Sequence, residues 1–145
     1  MAETTEPLAK FHARLDPKGR VLIPKSDREI LGIESNDYVE VIIRKIQVDH
    51  DSMKISVLDR AFLIAKVGAR GYFIIPTETR HLLNLDYGDI VEVFLLTFHK
   101  FDELISEKGK SLLSRIQTYS HSKIISAEEE KIMLNNSSHS YLFTV

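Results

Sequence analysis

The sequence predicts a mainly β fold with short helices, an α+β arrangement of two tandem units followed by a helical C-terminal extension. Three observations carry that prediction. First, the chain repeats itself: shifted by 52 positions, Phe11–Val41 lies over Leu63–Val93, with Ala13/Ala65, Gly19/Gly71, Ile23/Ile75, Pro24/Pro76, Arg28/Arg80, Leu31/Leu83, Asp37/Asp89, Val39/Val91, Glu40/Glu92 and Val41/Val93 identical. Matches that concentrate on glycine, proline and spaced apolar residues mark a shared backbone. Second, each copy carries short runs of β-branched and aromatic residues bounded by turn residues. Third, the spacing changes after residue 100 to a helical stripe of Phe101, Leu104, Ile105, Leu112 and Ile116.

The elements follow in order. A first strand is expected over His12–Leu15 and again over Ile64–Val67. Asp16-Pro17-Lys18-Gly19 and Gly68-Ala69-Arg70-Gly71 are turns, each with glycine fourth, where positive φ is accepted. Second strands, Val21–Ile23 and Tyr72–Ile75, end at Pro24 and Pro76, which cannot extend a ladder but suit a helix start. Two-turn helices follow over Lys25–Leu31, stopped by Gly32, and Thr77–Leu83. Tyr38–Ile46 and Ile90–Phe98 close the units as longer strands, with Val39, Val41 and Ile43 on one face. Between the copies, Asp49-His50-Asp51-Ser52 reads as a hairpin turn and Met53–Leu58 as a returning strand. Ser126-Ala127-Glu128-Glu129 is a capping-box pattern before a helix to about Leu134, followed by a break at Asn135–Ser138 and a final strand over Tyr141–Val145. The expected organisation is a flexible stretch 1–9, units at 10–59 and 60–99, and a helical extension at 100–145.

Composition narrows the function. The chain has 145 residues, a net charge of −2 and no cysteine, which excludes a disulfide framework and a thiolate metal site and fits a reducing, cytoplasmic setting. The acidic start Met1–Pro7 is not a secretion signal, and no apolar run approaches the roughly 20 residues of a membrane span. Charge is local instead. Lys10–Arg28 holds six bases (Lys10, Arg14, Lys18, Arg20, Lys25, Arg28) against two acids, and Arg60–Arg80 holds four (Arg60, Lys66, Arg70, Arg80) against one. Recurrence of the basic hairpin and helix in both copies suits a duplex phosphate backbone if the copies pack about a pseudo-twofold axis.

Enzymatic signatures are missing. The six histidines, His12, His50, His81, His99, His121 and His139, form no zinc-binding spacing. Asp49-His50-Asp51 reads as a solvated turn before it reads as a metal ligand set, and Gly68-Ala69-Arg70-Gly71 lacks the length and the lysine of a phosphate loop. Asp37 and Asp89 stand at strand starts, where capping outweighs acid–base chemistry. The expectation is a non-enzyme without cofactor.

Leu15-Asp16-Pro17-Lys18-Gly19-Arg20-Val21-Leu22-Ile23-Pro24, with Arg28, Leu31-Gly32-Ile33 and Asp37-Tyr38-Val39-Glu40-Val41, resembles the swapped-hairpin DNA-binding domain of the AbrB/MazE/SpoVT superfamily. The likeness is close over Phe11–Leu58, looser over Phe62–Phe98, and absent beyond. It implies two interleaved hairpin units closing one pseudo-dimeric β-barrel within the chain, since a lone copy cannot cover its own edges; the alternative is that each copy pairs with its equivalent on another chain. Asp16–Arg20 also matches an Asp-x-x-x-Arg signature of MraZ-like proteins, which Gly68–Tyr72 does not. The implied function is sequence-selective binding of double-stranded DNA as a nucleoid-associated transcriptional regulator. Its expected contacts are Arg14, Lys18, Arg20, Lys25, Arg28, Lys66, Arg70 and Arg80. Glu29 stands where such domains often place a second arginine, and Tyr72 replaces the second turn arginine, so the halves should contribute unequally. Alanine at Arg20 or Arg28 should weaken binding with little change in melting temperature. The competing expectation is an antitoxin-like or scaffolding module that docks a protein partner. A homodimer through the C-terminal helices is a further expectation.

Overall fold

A computed structural model describes residues 6–104 and 122–144, with side chains to residue 135. The strands are β1 (Ala9–Arg14), β2 (Arg20–Leu22), β3 (Tyr38–Asp49), β4 (Lys54–Lys66), β5 (Tyr72–Ile74), β6 (Ile90–His99) and β7 (Lys123–Ile124). The helices are α1 (Lys25–Leu31), α2 (Thr77–Leu82), α3 (Phe101–Leu104) and α4 (Ala127–Thr144). The mainly β prediction with short helices holds. An antiparallel sheet runs β1-β6-β3-β4-β7, and β2 pairs with β5 in a separate ribbon.

The ladders run between the copies. β1 of the first copy pairs with β6 of the second, Phe11 opposite Val93. The end of β4, which repeats β1, pairs with β3 of the first copy, Leu63 opposite Val41. β2 meets its own repeat in β5, with Val21 opposite Phe73 at the centre. The loop bonds keep the same symmetry. Leu15 N–H donates to Asp89 O at 2.8 Å and Val67 N–H to Asp37 O at 2.8 Å. Ile23 N–H donates to Gly71 O at 3.0 Å and Ile75 N–H to Gly19 O at 2.9 Å.

Alternation along these strands builds the core. Phe11, Leu15, Val21, Ile23, Ile33, Val39, Val41 and Ile43 are buried together with their repeats Leu63, Val67, Phe73, Ile75, Leu85, Val91, Val93 and Leu95. A three-residue ribbon is too short to stand alone. Burying Val21 and Phe73 fixes it, at about 2 kcal/mol for each side chain removed from water. Neither copy could supply this core, because each contributes one half of every layer.

Several expectations change. No ladder joins the β2–β5 ribbon to the larger sheet among the described residues, so the closed barrel is not formed; two sheets enclose the core instead. The strands expected over Met53–Leu58 and Ile64–Val67 merge into the one continuous strand β4, Lys54–Lys66, because Asp59–Phe62 holds no breaker and a bulge at Lys45/Ile46 absorbs the irregularity. The boundary between 59 and 60 therefore falls inside β4. Within the stretch 1–9, Leu8 N–H bonds Leu95 O and β1 starts at Ala9, while residues 1–5 lie outside the described residues. The hairpin turn forms, with the Asp49 carboxylate accepting from Asp51 N–H.

At the C-terminal end, the capping box forms as read: Ser126 Oγ accepts from Glu129 N–H at 3.1 Å and Glu129 reaches back to Ser126 N–H at 3.3 Å. α4 then runs to Thr144, so neither the break at Asn135–Ser138 nor the strand over Tyr141–Val145 appears; no proline or glycine stands there to stop the helix. Of the apolar stripe after residue 100, Phe101 and Leu104 lie on α3, while Ile105, Leu112 and Ile116 fall outside the described residues.

One contact closes each side of the fold. Arg80 lies against Gly19 and Arg28 against Gly71, so each helix arginine sits over the turn glycine of the other copy. A methyl on Gly19 would come 2.5 Å from the Arg80 guanidinium carbon, and Gly71 is as crowded by Arg28. Both glycines also have positive φ, +77° and +86°. Gly32 shares the positive φ, +75°, with nothing within 4 Å. We therefore expect Gly32→Ala to cost about 1 kcal/mol, from backbone strain alone. Gly19→Ala and Gly71→Ala should each cost at least about 2 kcal/mol, because the arginine must also leave. Urea unfolding followed by circular dichroism measures the difference.

Candidate nucleic-acid interface

The eight expected DNA-binding residues fall into two groups, those that the fold itself uses and those that it leaves in solvent. Arg28 and Arg80 belong to the first. Arg28 Nε donates to Ile23 O at 2.9 Å, and Arg80 Nε to Ile75 O at 2.9 Å, each bond tying a helix to the end of the preceding strand. Arg80 Nη2 also reaches the Thr77 hydroxyl at 2.9 Å. Both are half-buried. The expectation that Arg28→Ala would leave the melting temperature unchanged therefore gives way: that change removes a structural bond and opens space above Gly71.

Arg20 is shared between fold and surface. Its Nε donates to Asp16 Oδ2 at 2.7 Å, while Asp16 Oδ1 accepts from Lys18 N–H and Arg20 N–H at 2.9 and 2.7 Å. The first basic turn is thus built around one carboxylate. The Arg20 guanidinium also lies 4.6 Å from the centre of the Tyr72 ring, where a cation is attracted to the π face. Tyr72, read from sequence only as the replacement of an arginine, holds the arginine of the other copy in place. The two stand at equivalent positions of the repeat, 20 and 72, and the repeat shows only that their residue types differ, not that the two side chains meet.

The remaining bases are exposed. Lys18 projects from the first turn and Arg70 from the second, where Arg70 takes φ +64°. Lys66 ends β4. Lys25 stands on α1, loosely paired with Glu29 at 3.9 Å, and the acid lowers the local positive charge. Arg14 ends β1 and donates to Gly88 O at 3.0 Å. Arg20, Lys66, Tyr72, Ile74 and Pro76 line one open cleft of about 460 Å³ beside the ribbon. The ribbon turns Val21 and Phe73 inward and Arg20, Leu22, Tyr72 and Ile74 outward. It thus combines positive charge, an aromatic ring and two aliphatic side chains on one small surface.

Asp37 and Asp89 cap their turns as the sequence suggested. Asp37 Oδ2 accepts from Glu34 N–H at 2.8 Å, and Asp89 Oδ2 from Asp86 N–H at 2.8 Å. Asp37 is also gripped by Lys100 Nζ at 2.5 Å and Phe101 N–H at 2.8 Å, which fastens the exit of the second copy to the first. Burial opposes the charge of Lys100, but the carboxylates of Asp37 and Glu34 outweigh it and raise its pKa. Among the described residues no cluster of three or more histidine, cysteine or acidic side chains could hold a metal, and no helix is long and apolar enough to cross a membrane.

No protein-family model and no curated protein matches the chain. It is similar to a solved structure, the solution structure of PHS018 from Pyrococcus horikoshii. The two are 34% identical, the match covers 66% of this chain and 96% of that one, and the TM-score is 0.50. The name of that protein states no activity.

Asp16 sets the behaviour of the turn with pH. Burial works against its ionised form, but the hydrogen bonds from Arg20 and Lys18 prevail and hold its carboxyl below the usual range. A lowered folded pKa means the stabilisation is complete above the unfolded value, about 3.9, and is lost as pH falls through the folded value. Asp16→Asn should lower the melting temperature at pH 7, and the gap to wild type should shrink below about pH 4. Thermal melts across pH 2–7 check this.

Proposed function

We propose that this chain is a DNA-binding transcriptional regulator of the swapped-hairpin AbrB-like type, in which two tandem copies complete each other within one chain as a pseudo-dimer. The observation that carries the reading is the reciprocal exchange across the ribbon. Strand β2 pairs with its own repeat β5, and Arg28 and Arg80 each cross to the other copy's turn glycine. Such an exchange brings the basic turns at Lys18 and Arg70 to the two ends of one ribbon. A two-stranded ribbon is a known reader of the major groove. The halves differ, with an arginine-bearing turn built on Asp16 in one and Arg70 beside Tyr72 in the other, so the preferred site is asymmetric.

On this reading the exposed bases Lys18, Lys66 and Arg70 engage phosphates, Arg20 presents its guanidinium from the Tyr72 face, and Arg28 and Arg80 act chiefly by holding the scaffold. Binding is then driven by counterion release and weakens steeply with salt.

A second reading, a module that docks a protein, rests on one observation. Leu22, Ile74, Ile30 and Leu82 are exposed at 38, 56, 81 and 60%, and they form two repeat-equivalent pairs. Recurrent exposed aliphatic residues suit a protein surface as well as thymine methyl groups.

Gel shifts separate the readings. The variant Lys18→Ala/Lys66→Ala/Arg70→Asn removes three exposed charges, with asparagine chosen because it tolerates the left-handed backbone at position 70. Wild type should bind random duplex at about 50 mM salt. The variant should bind about tenfold or more weakly, with an unchanged melting temperature. Its log–log salt slope should fall by roughly 0.9 for each phosphate no longer neutralised. Absence of duplex binding by the folded wild type would leave the protein-docking reading standing.

A further inference from the structure

One edge of the large sheet is only partly paired. β7 meets β4 over two residues, Ile124 opposite Ala61 and Lys123 opposite Phe62, and Ile125 N–H donates to Arg60 O at 3.0 Å. In an antiparallel ladder the N–H and C=O of one residue point to the same neighbour, and successive residues alternate sides. Arg60 therefore sets the parity: Phe62, Ile64 and Lys66 turn their backbone groups to this edge. Val67 N–H, of the opposite parity, bonds Asp37 O on the β3 side at 2.8 Å. Among the described residues no strand lies against Ile64 and Lys66 on this edge. Such an edge is a template for another strand, and β7 shows that this one accepts it.

The unpaired stretch opens on the cleft of about 460 Å³ beside the ribbon. One wall is Leu63–Lys66 and the other is Tyr72–Ile74, so the cleft fills the gap that keeps the two sheets apart. A bond from Gly68 N–H to Tyr72 O, 2.7 Å, closes its end. The β4 wall spans about 13 Å, the length of a short extended peptide.

Charge selects the occupant. Arg20 and Lys66 are the charged residues of the lining, and no acid is among them. Asp16, which binds Arg20 Nε, stands outside it. A lysine on an edge discourages indiscriminate strand pairing, and an acid on the incoming strand cancels that effect. Single-stranded nucleic acid would also meet two bases and an aromatic ring. It has no N–H and C=O groups spaced for a β ladder, however, and Arg20 already covers the Tyr72 ring. Residues 122–135 are committed elsewhere. The Ser122 hydroxyl meets that of Thr79 on α2. Glu130 on α4 is buried, its carboxylate bonded to Nε and Nη2 of Arg44 at 2.9 and 2.5 Å and paired with Arg60 Nε at 3.2 Å. Arg44 in turn holds Glu92 at 2.8 Å.

We propose that the cleft between β4 and the ribbon binds an extended acidic peptide of a partner protein, which adds as a strand to Ile64 and Lys66. Main-chain hydrogen bonds supply the affinity, and acidic side chains facing Lys66 and Arg20 supply the choice of partner. This binding is separate from that of duplex DNA, but the two share Lys66 and Arg20, so an occupied cleft competes with phosphate.

NMR titration of the isotope-labelled full-length chain tests this. The probe is a pentapeptide of alternating glutamate and valine, blocked at both ends. It should bind with a dissociation constant of about 1 mM or tighter. The amides of Ile64 and Lys66 should shift and exchange more slowly. The same peptide with N-methylated backbone, which cannot donate, should bind about tenfold more weakly. Lys66→Glu changes an exposed side chain and should leave the melting temperature unchanged. It should weaken the acidic peptide about tenfold and favour a lysine–valine counterpart. The proposal is overturned if the acidic peptide moves neither amide, or if the N-methylated peptide binds equally well. It also falls if oligothymidylate shifts both amides and the peptide does not, which would give the cleft to single-stranded nucleic acid. A failure of duplex binding in gel shifts would leave the peptide shifts in place, so the two readings fail separately.

Discussion

The structure depends on a reciprocal interlock: the helix arginine of each copy lies over the turn glycine of the other. Arg28 can reach Gly71 only if β2 and β5 are paired, and Arg80 reaches Gly19 by the same geometry. Each arginine also bonds the carbonyl that ends its own second strand, so one side chain fixes the strand-to-helix corner and the packing of the two copies together. The turn needs a residue without Cβ for two independent reasons, positive φ and close approach, and the second reason comes from the other half of the chain.

That interlock shapes the surface available for function. Two bases that recur in both copies, Arg28 and Arg80, are drawn into the scaffold, and a third, Arg20, is divided between Asp16 and Tyr72. Positive charge that can still meet a phosphate is left mainly to Lys18, Lys66 and Arg70. On the proposed DNA-binding reading, such a division implies modest, salt-sensitive binding in which the scaffold aims a few exposed charges.

The two faces of the large sheet obey different rules. Towards the ribbon, burial follows the repeat, and the equivalent residues Val21 and Phe73 stand opposite each other. Away from it, the symmetry fails. Glu40 and Glu92 are repeat partners, yet Glu40 meets His99 at 2.6 Å while Glu92 joins the Arg44 cluster beneath α4. A single C-terminal segment can cover only one side, so the symmetric body acquires an asymmetric back, and the charges there answer to the segment rather than to the repeat.

By itself the sequence determined the repeat, the strand and helix order within it, the glycine turns, the proline starts of both helices and the capping box at Ser126. These depend on local backbone geometry, which residue type and spacing dictate. Even substitutions between the copies respect it: Gly32 and Asn84 share a left-handed conformation, as do Asn36 and Gly88. The tertiary structure alone decided that Met53–Leu58 runs unbroken into the second copy, that the sheets stay open, that Tyr72 supports Arg20, and that Glu130 is buried against two arginines. Each of these joins residues far apart in the chain. Such pairings arise from which surfaces are left uncovered once the local elements have formed, and periodicity along a sequence does not record them.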